Sequence, residues 1–243
     1  MVWLKNKMPH KKPTIVFDIG AVKLGLNYGR DENSFFVQAS KIAGVSPDEF
    51  KAWYSPIEKR CLSGEVRADE HYFLLRQKLG QPGMPKDELE DLVGLLWTGP
   101  IISTIRLSER LHNAGHGLGI ISNMTDYCID IISKKHPEVF ETFGGKKVFS
   151  FEHRVIKPDL RLYKEFDEIE GDKVYIDDNL RYASAPLVLP DWFGIHYTEH
   201  IDSSESVRSV QDKSSGFPGS DRLFVARNNE ELIQALERCN VKL

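Results

Sequence analysis

Thr14-Ile15-Val16-Phe17-Asp18-Ile19-Gly20 decides the fold: a short apolar run of β-favouring residues stops abruptly at an aspartate and a glycine. A strand covered on both faces reads as a continuous apolar run, and Asp-x-Gly is turn chemistry. The stretch is predicted to be a buried parallel strand whose carboxyl end carries Asp18 into a crevice.

Outward from it the pattern recurs. Gly119-Ile120-Ile121-Ser122-Asn123 is apolar and then polar, Val148-Phe149-Ser150-Phe151 is a third candidate strand, and Val174-Tyr175-Ile176-Asp177-Asp178 is a fourth. Phe193-Gly194-Ile195-His196-Tyr197 is a weaker fifth, and Arg222-Leu223-Phe224-Val225-Ala226 fits a short edge strand. Helical patterns intervene: Ile101, Ile105, Leu107 and Leu111 share one face, and Asn229-Glu230-Glu231 starts a closing helix with a cap and an acidic first turn. Strands alternating with helices predict an α/β fold with a parallel sheet.

From about Leu24 to Trp97 the strand pattern lapses. Phe35, Phe36, Ala39 and Ile42 recur at helical spacing, as do Tyr72, Leu75 and Leu79, and Ser46-Pro47-Asp48-Glu49 has the cap, first-turn proline and acids of a helix start. This predicts an all-helical insert over residues 24–97 in a core made of 1–23 and 98–243. Lys23 and Asn27, at its entry, read as solvated, and Trp53, Tyr54, Tyr72, Phe73 and Trp97 read as packing residues. His112, His116, His136 and His153 are scattered without metal-ligand spacing and read as surface or capping residues, with His153 and Arg154 somewhat better placed to meet a ligand. The Ser-, Gly- and charge-rich stretch from Glu199 to Ser220 reads as a mobile loop.

A chain of 243 residues with 41% hydrophobic and 28% charged content is ordinary for a globular protein, and a formal charge of −4 supplies no basic field for nucleic acid. Cys61, Cys128 and Cys239 are odd in number and far apart, which argues for reduced thiols. No apolar stretch of signal or membrane-spanning length follows Met1-Val2-Trp3-Leu4-Lys5-Asn6-Lys7, and His10-Lys11-Lys12-Pro13 reads as a solvated lead-in. The expectation is a cytoplasmic protein with neither nucleic-acid nor membrane partners; a homodimer stays open.

In an open parallel sheet the strand ends converge on one crevice, so Asp18, Ser122, Asn123, Lys157, Asp177 and Asp178 are expected to meet. Asp18 alone is as easily a turn former or helix cap; the set together suits phosphoryl transfer. One carboxylate can attack phosphorus while others hold a divalent cation, and crowded carboxylates themselves call for a hard metal such as magnesium. Lys157 adds fixed positive charge, and Ser122 with nearby backbone amides can donate to phosphate oxygens.

In order and character these segments resemble the haloacid dehalogenase (HAD) superfamily, mostly phosphatases on a Rossmann-like sheet with helices on both faces. The resemblance spans about Thr14 to Tyr197 and rests on Val16-Phe17-Asp18-Ile19-Gly20-Ala21-Val22, Ile120-Ile121-Ser122-Asn123, Ile156-Lys157-Pro158-Asp159 and Tyr175-Ile176-Asp177-Asp178-Asn179. The insert looks like the superfamily's helical cap, and Arg60 to Tyr72 resembles the cap of its glucose-1-phosphate phosphatase branch. The resemblance implies that Asp18 is a nucleophile forming an aspartyl-phosphate. It implies that Asp18, Asp177, Asp178 and the Gly20 carbonyl hold magnesium, and that Ser122, Asn123 and Lys157 bind the phosphoryl group. A small phosphorylated metabolite is the implied substrate, a sugar phosphate before a nucleoside monophosphate. One position departs from the pattern: Gly20 stands where the superfamily usually carries an acid/base aspartate. Dehalogenases look less similar, and the alternative reading is a catalytically weak or inactive relative with a binding or scaffolding role.

Overall fold

The structure is a computed structural model describing residues 11–27, 31–199 and 220–243. The lead-in through His10 and the predicted loop between Glu199 and Ser220 lie outside the described residues.

Six parallel strands form the central sheet in the order β5-β4-β1-β6-β7-β8. They are β1 (Thr14–Phe17), β4 (Gly117–Ser122), β5 (Lys147–Phe149), β6 (Lys173–Asp177), β7 (Trp192–Tyr197) and β8 (Leu223–Ala226). β1 sits between β4 and β6, with Phe17 level with Ile120 on one side and Ile176 on the other, so three strands end at the same height. Side chains alternate across the sheet. Ile15, Phe17 and Ile120 therefore join one apolar core and Val16, Ile121 and Tyr175 another, which makes the fold the expected α/β sandwich of helices around a parallel sheet.

Helices α5 (Ile102–Asn113), α6 (Asp126–Lys135), α7 (Glu138–Glu141), α8 (Ser150–His153), α9 (Leu160–Lys164), α10 (Leu180–Ser184) and α11 (Asn229–Arg238) connect or close these strands. The third strand is shorter than expected, because Ser150 and Phe151 begin α8. Two further expectations need correcting. His116 is buried, its ring nitrogens within 3.0 Å of the Pro13 carbonyl and 2.9 Å of the Lys242 carbonyl, so it ties the first strand to the chain end. Phe73 is 57% exposed, whereas Tyr54 and Tyr72 are core.

The insert is not all-helical. Helices α1 (Phe35–Ala43), α2 (Pro47–Leu62), α3 (Ala68–Leu79) and α4 (Lys86–Gly94) are flanked by β2 (Leu24–Leu26) and β3 (Trp97–Pro100), which pair antiparallel. Sequence reading misses this ribbon because three or four residues containing Gly25 or Gly99-Pro100 carry little strand signal. Around Tyr54 the helices pack an aromatic core, with Phe35 at 4.9 Å and Phe50 at 6.1 Å between ring centroids.

Gly64 closes α2 at φ +69°, and a Cβ there would lie 2.2 Å from the Phe151 carbonyl oxygen. Beside it, Ser150 Oγ donates to the Leu62 carbonyl at 2.6 Å. Strain and overlap add, so Gly64→Ala is expected to destabilise the protein by roughly 2 kcal/mol or more. Thermal unfolding checks this; an unchanged midpoint would show that the α2–α8 seam yields freely.

Lys23 also overturns its reading as solvated, for it is fully buried. Its Nζ donates to Ser108 Oγ at 2.6 Å and lies 4.5 Å from the Phe143 ring centroid and 5.2 Å from that of Phe17. Burial pushes its pKa from 10.5 down to about 7, with Glu109 opposing. Between those values the unfolded chain binds more protons than the folded one, so stability rises with pH across that window. Relative to Lys23→Met, the wild type should gain at most about 1.4 kcal/mol per pH unit between pH 7 and pH 9. Denaturant titrations of both at the two pH values would show it; a flat difference would mean that Lys23 keeps its charge.

Candidate active site

The Asp18 amide donates to the Ile176 carbonyl at 2.9 Å, carrying the β1–β6 ladder one residue past the strand. The chain then turns sharply: Ala21 donates to the Leu24 carbonyl, and Lys23 and Leu24 both donate to the Ile19 carbonyl. The Gly20 carbonyl takes no part in these bonds and Gly20 lines the cavity above. Ala21 has φ +52°, a left-handed conformation uncommon for a side chain-bearing residue.

Lys157 stands at the centre. Its Nζ is 2.6 Å from Asp177 Oδ2, 2.9 Å from Asp18 Oδ1 and 2.9 Å from the Tyr175 hydroxyl, and the side chain is buried. The Tyr175 hydroxyl lies 2.5 Å from Asp177 Oδ2 and 3.1 Å from the Ile121 carbonyl, which share its one proton. Asn123 Oδ1 accepts the Lys157 backbone N–H at 2.7 Å, fixing the segment that presents the lysine. Asp177 Oδ1 accepts the Asn179 amide at 2.8 Å. Asp18 Oδ1 has the ionic contact to Lys157 but no directed hydrogen bond.

Electrostatics follow from burial and crowding. Burial raises the Asp18 pKa, the Lys157 ammonium opposes it, and Asp177 raises it further. Burial, then the neighbouring Asp18 and Asp177, push Asp178 up to about 8. Burial works against the Lys157 charge, yet Asp177 and Asp18 hold its pKa above the usual lysine range. Oxygens of Asp18, Asp177 and Asp178 all lie within 4.8 Å of one another. With all three carboxyls ionised, one ammonium would leave two negative charges in a small volume, and without a cation the raised pKa values of Asp18 and Asp178 relieve that excess by holding protons. A hard divalent cation bound by oxygen ligands fits this donor set, and Asp18 Oδ1 is a buried acceptor without a hydrogen bond.

Above the carboxylates lies a cavity of about 370 Å³. Asp18, Gly20, Ser122, Asn123, Lys157 and Asp178 line its floor. Its roof comes from the insert, through Glu58 and Leu62 of α2 and Leu26 and Trp97 of the ribbon, with Tyr127 and Cys128 of α6 beside them. Roof and floor are tied through Tyr127, whose ring stacks on His71 at 4.0 Å and whose hydroxyl lies 3.4 Å from that of Tyr54. Arg67 Nε and the Ala68 amide meet Asp126 Oδ2 at 3.1 and 3.2 Å, a second tie.

All seven positions singled out from sequence thus gather at the strand ends. Asn123 differs in detail, since its carboxamide oxygen is engaged by Lys157. His153 and Arg154 are not among the lining residues; His153 Nδ1 is 3.4 Å from Glu165 Oε1. Sequence reading misses Tyr175, although it lies two residues before Asp177 and so on the same face of β6. It also misses Glu58, for which helical periodicity gives no signal.

No protein-family model matches the chain, and no curated protein matches it by sequence. Solved structures do match it in fold. The HAD-family enzyme bt-2542 of Bacteroides thetaiotaomicron, determined with magnesium and inorganic phosphate, aligns over 80% of this chain and 98% of its own at 17% identity and a TM-score of 0.63. A predicted HAD-like family hydrolase from Porphyromonas gingivalis aligns over 83% and 97% at 19% identity and 0.60. The L-2-haloacid dehalogenase of Xanthobacter autotrophicus, with chloropropionic acid covalently bound, aligns over 93% and 98% at 14% identity and 0.58. At such identities the likeness shows the fold, which is that of HAD-like enzymes.

Proposed function

We propose that this chain, whose fold is that of HAD-like enzymes, is a magnesium-dependent phosphatase of the cytoplasm that acts on a small phosphorylated metabolite, a sugar phosphate before a nucleoside monophosphate. The observation that carries this reading is Lys157, buried between Asp18 and Asp177 with Asp178 alongside, beneath a cavity roofed by the insert. Displacement of halide by a carboxylate needs no such crowd of acids. A phosphoryl group does need its charge neutralised.

In this reading an Asp18 oxygen attacks phosphorus and becomes an aspartyl-phosphate, which water then hydrolyses. Ser122 and Lys157 bind phosphoryl oxygens, and Asn123 positions Lys157 through its backbone N–H. Asp18, Asp177, Asp178 and the Gly20 carbonyl would hold magnesium, which when bound neutralises phosphoryl charge. The cavity volume lies at the lower end of the range for small-molecule sites and suits a monosaccharide phosphate.

The purified protein should hydrolyse p-nitrophenyl phosphate with magnesium, lose that activity on treatment with a chelator and regain it when magnesium is restored. Absence of turnover on this probe and on a broad panel of phosphorylated metabolites would overturn the reading in favour of a non-catalytic role.

A further inference from the structure

The leaving group has no assigned proton donor. An in-line attack by Asp18 sends the departing oxygen away from the floor, towards the roof, and Gly20 has no side chain to offer there. A Cβ at Gly20 would already lie 3.2 Å from Leu26 Cδ1, so the ribbon fills that space with an apolar side chain. Among the other groups at the cavity, Lys157 is committed to Asp18 and Asp177. Burial pushes the Tyr127 hydroxyl and the Cys128 thiol far above their ordinary ranges, so neither readily gives up a proton.

Glu58 is different. It projects from α2 of the insert, lines the same cavity as Asp18, and is half-buried. Among the described residues that line the cavity it is the one carboxyl outside the Asp18–Asp178 cluster. Among the described residues its side chain makes no hydrogen bond or ion pair within bonding distance; Glu65, Glu70 and Glu90 of the insert meet arginine or lysine, and Glu32, Glu49 and Glu88, which do not, are exposed. A half-buried carboxyl with no bonded partner is left free to engage a molecule that enters the cavity.

We infer that Glu58 is the general acid and base of the reaction, delivered to the active site by the insert rather than by the strand that carries Asp18. This inference rests on the phosphatase reading above. In the first step the Asp18 oxygen bonds to phosphorus as the bond from phosphorus to the leaving oxygen breaks, and the Glu58 proton passes to that oxygen, releasing an alcohol. In the second, water occupies the vacated place. Its oxygen bonds to phosphorus, its proton passes to the Glu58 carboxylate, and the bond between phosphorus and Asp18 breaks to release inorganic phosphate. Burial raises the Glu58 pKa, with Lys51 opposing, which favours a carboxyl that holds a proton to give.

The test compares two probes of similar size, phenyl phosphate and p-nitrophenyl phosphate, in wild type and Glu58→Gln. The nitro group stabilises the departing phenolate, so that probe needs little proton donation. Glu58→Gln is expected to lower kcat/KM on phenyl phosphate by about 10²-fold, the low end of general acid catalysis, and on p-nitrophenyl phosphate by under about tenfold. Equal losses on both probes, or no loss on either, would overturn the assignment while leaving the phosphatase reading intact. If the wild type turned over neither probe, both would fall. Thermal unfolding of Glu58→Gln, isosteric with the wild type, should be unchanged; a large drop, with activity lost equally on both probes, would mark Glu58 as structural.

Discussion

Asp18→Asn is expected to leave a folded protein whose turnover of p-nitrophenyl phosphate falls by about 10³-fold or more, the loss that follows when a nucleophile is removed. Folding should survive because Asp18 is held against its own solvation: burial raises its pKa and Asp177 adds to the repulsion. Replacing the carboxylate by a neutral amide relieves that repulsion, and Lys157 still faces Asp177 at 2.6 Å. The thermal midpoint should therefore stay level or rise while activity disappears. Mass spectrometry of enzyme quenched with substrate present should find a phosphoryl adduct on wild type and none on Asp18→Asn. Retention of more than about a tenth of the activity would exclude Asp18 as the nucleophile.

Lys157→Met should strike stability as well as turnover. Among the described residues the ammonium is the one positive charge in contact with these two buried carboxylates, and it also donates to the Tyr175 hydroxyl that joins Asp177 to the Ile121 carbonyl. Removing one partner from a buried ionic cluster typically costs about 3–5 kcal/mol, because the charges left behind have neither water nor a counter-ion. Denaturant unfolding in the absence of metal should register a loss of that size. Placing Lys157→Met in the Asp18→Asn background should reduce it, since one of the stranded charges is then gone, and the difference measures their coupling. A loss under about 1 kcal/mol would mean that the carboxylates take up protons and that the ion cluster contributes little.

Much of this architecture is legible in the chain because strands buried on both faces leave long apolar runs, and each of these runs ends in a polar residue. Asp18, Ser122 and Asp177 can be placed at strand ends from that contrast alone, and parallel pairing then brings them together. Lys157 follows a strand by eight residues, after the turn of α8, so its place in the centre comes from the resemblance and from the fold rather than from periodicity. The ribbon of β2 and β3 is illegible because its strands are too short and glycine-rich to show a pattern. Lys23 misleads for a different reason: a lysine is nearly always solvated, and only the enclosure by Phe17, Phe143 and Ser108 keeps this one inside. Glu58 and Tyr127 belong to the site through tertiary packing, which no local pattern reports.

Leu24 pairs with Pro100 across the ribbon, so the chain leaves the sheet domain and returns to it at adjacent points. The length of the intervening chain makes no difference to the sheet when both ends are joined at one doorway; a unit tethered in this way can be lengthened, shortened or exchanged by descent without disturbing the register of any central strand. Heredity can therefore vary what is admitted to the cavity separately from the carboxylates beneath it. The assignment of Glu58 qualifies that freedom: a lineage that exchanges this unit must bring a replacement acid with it or restore one at Gly20.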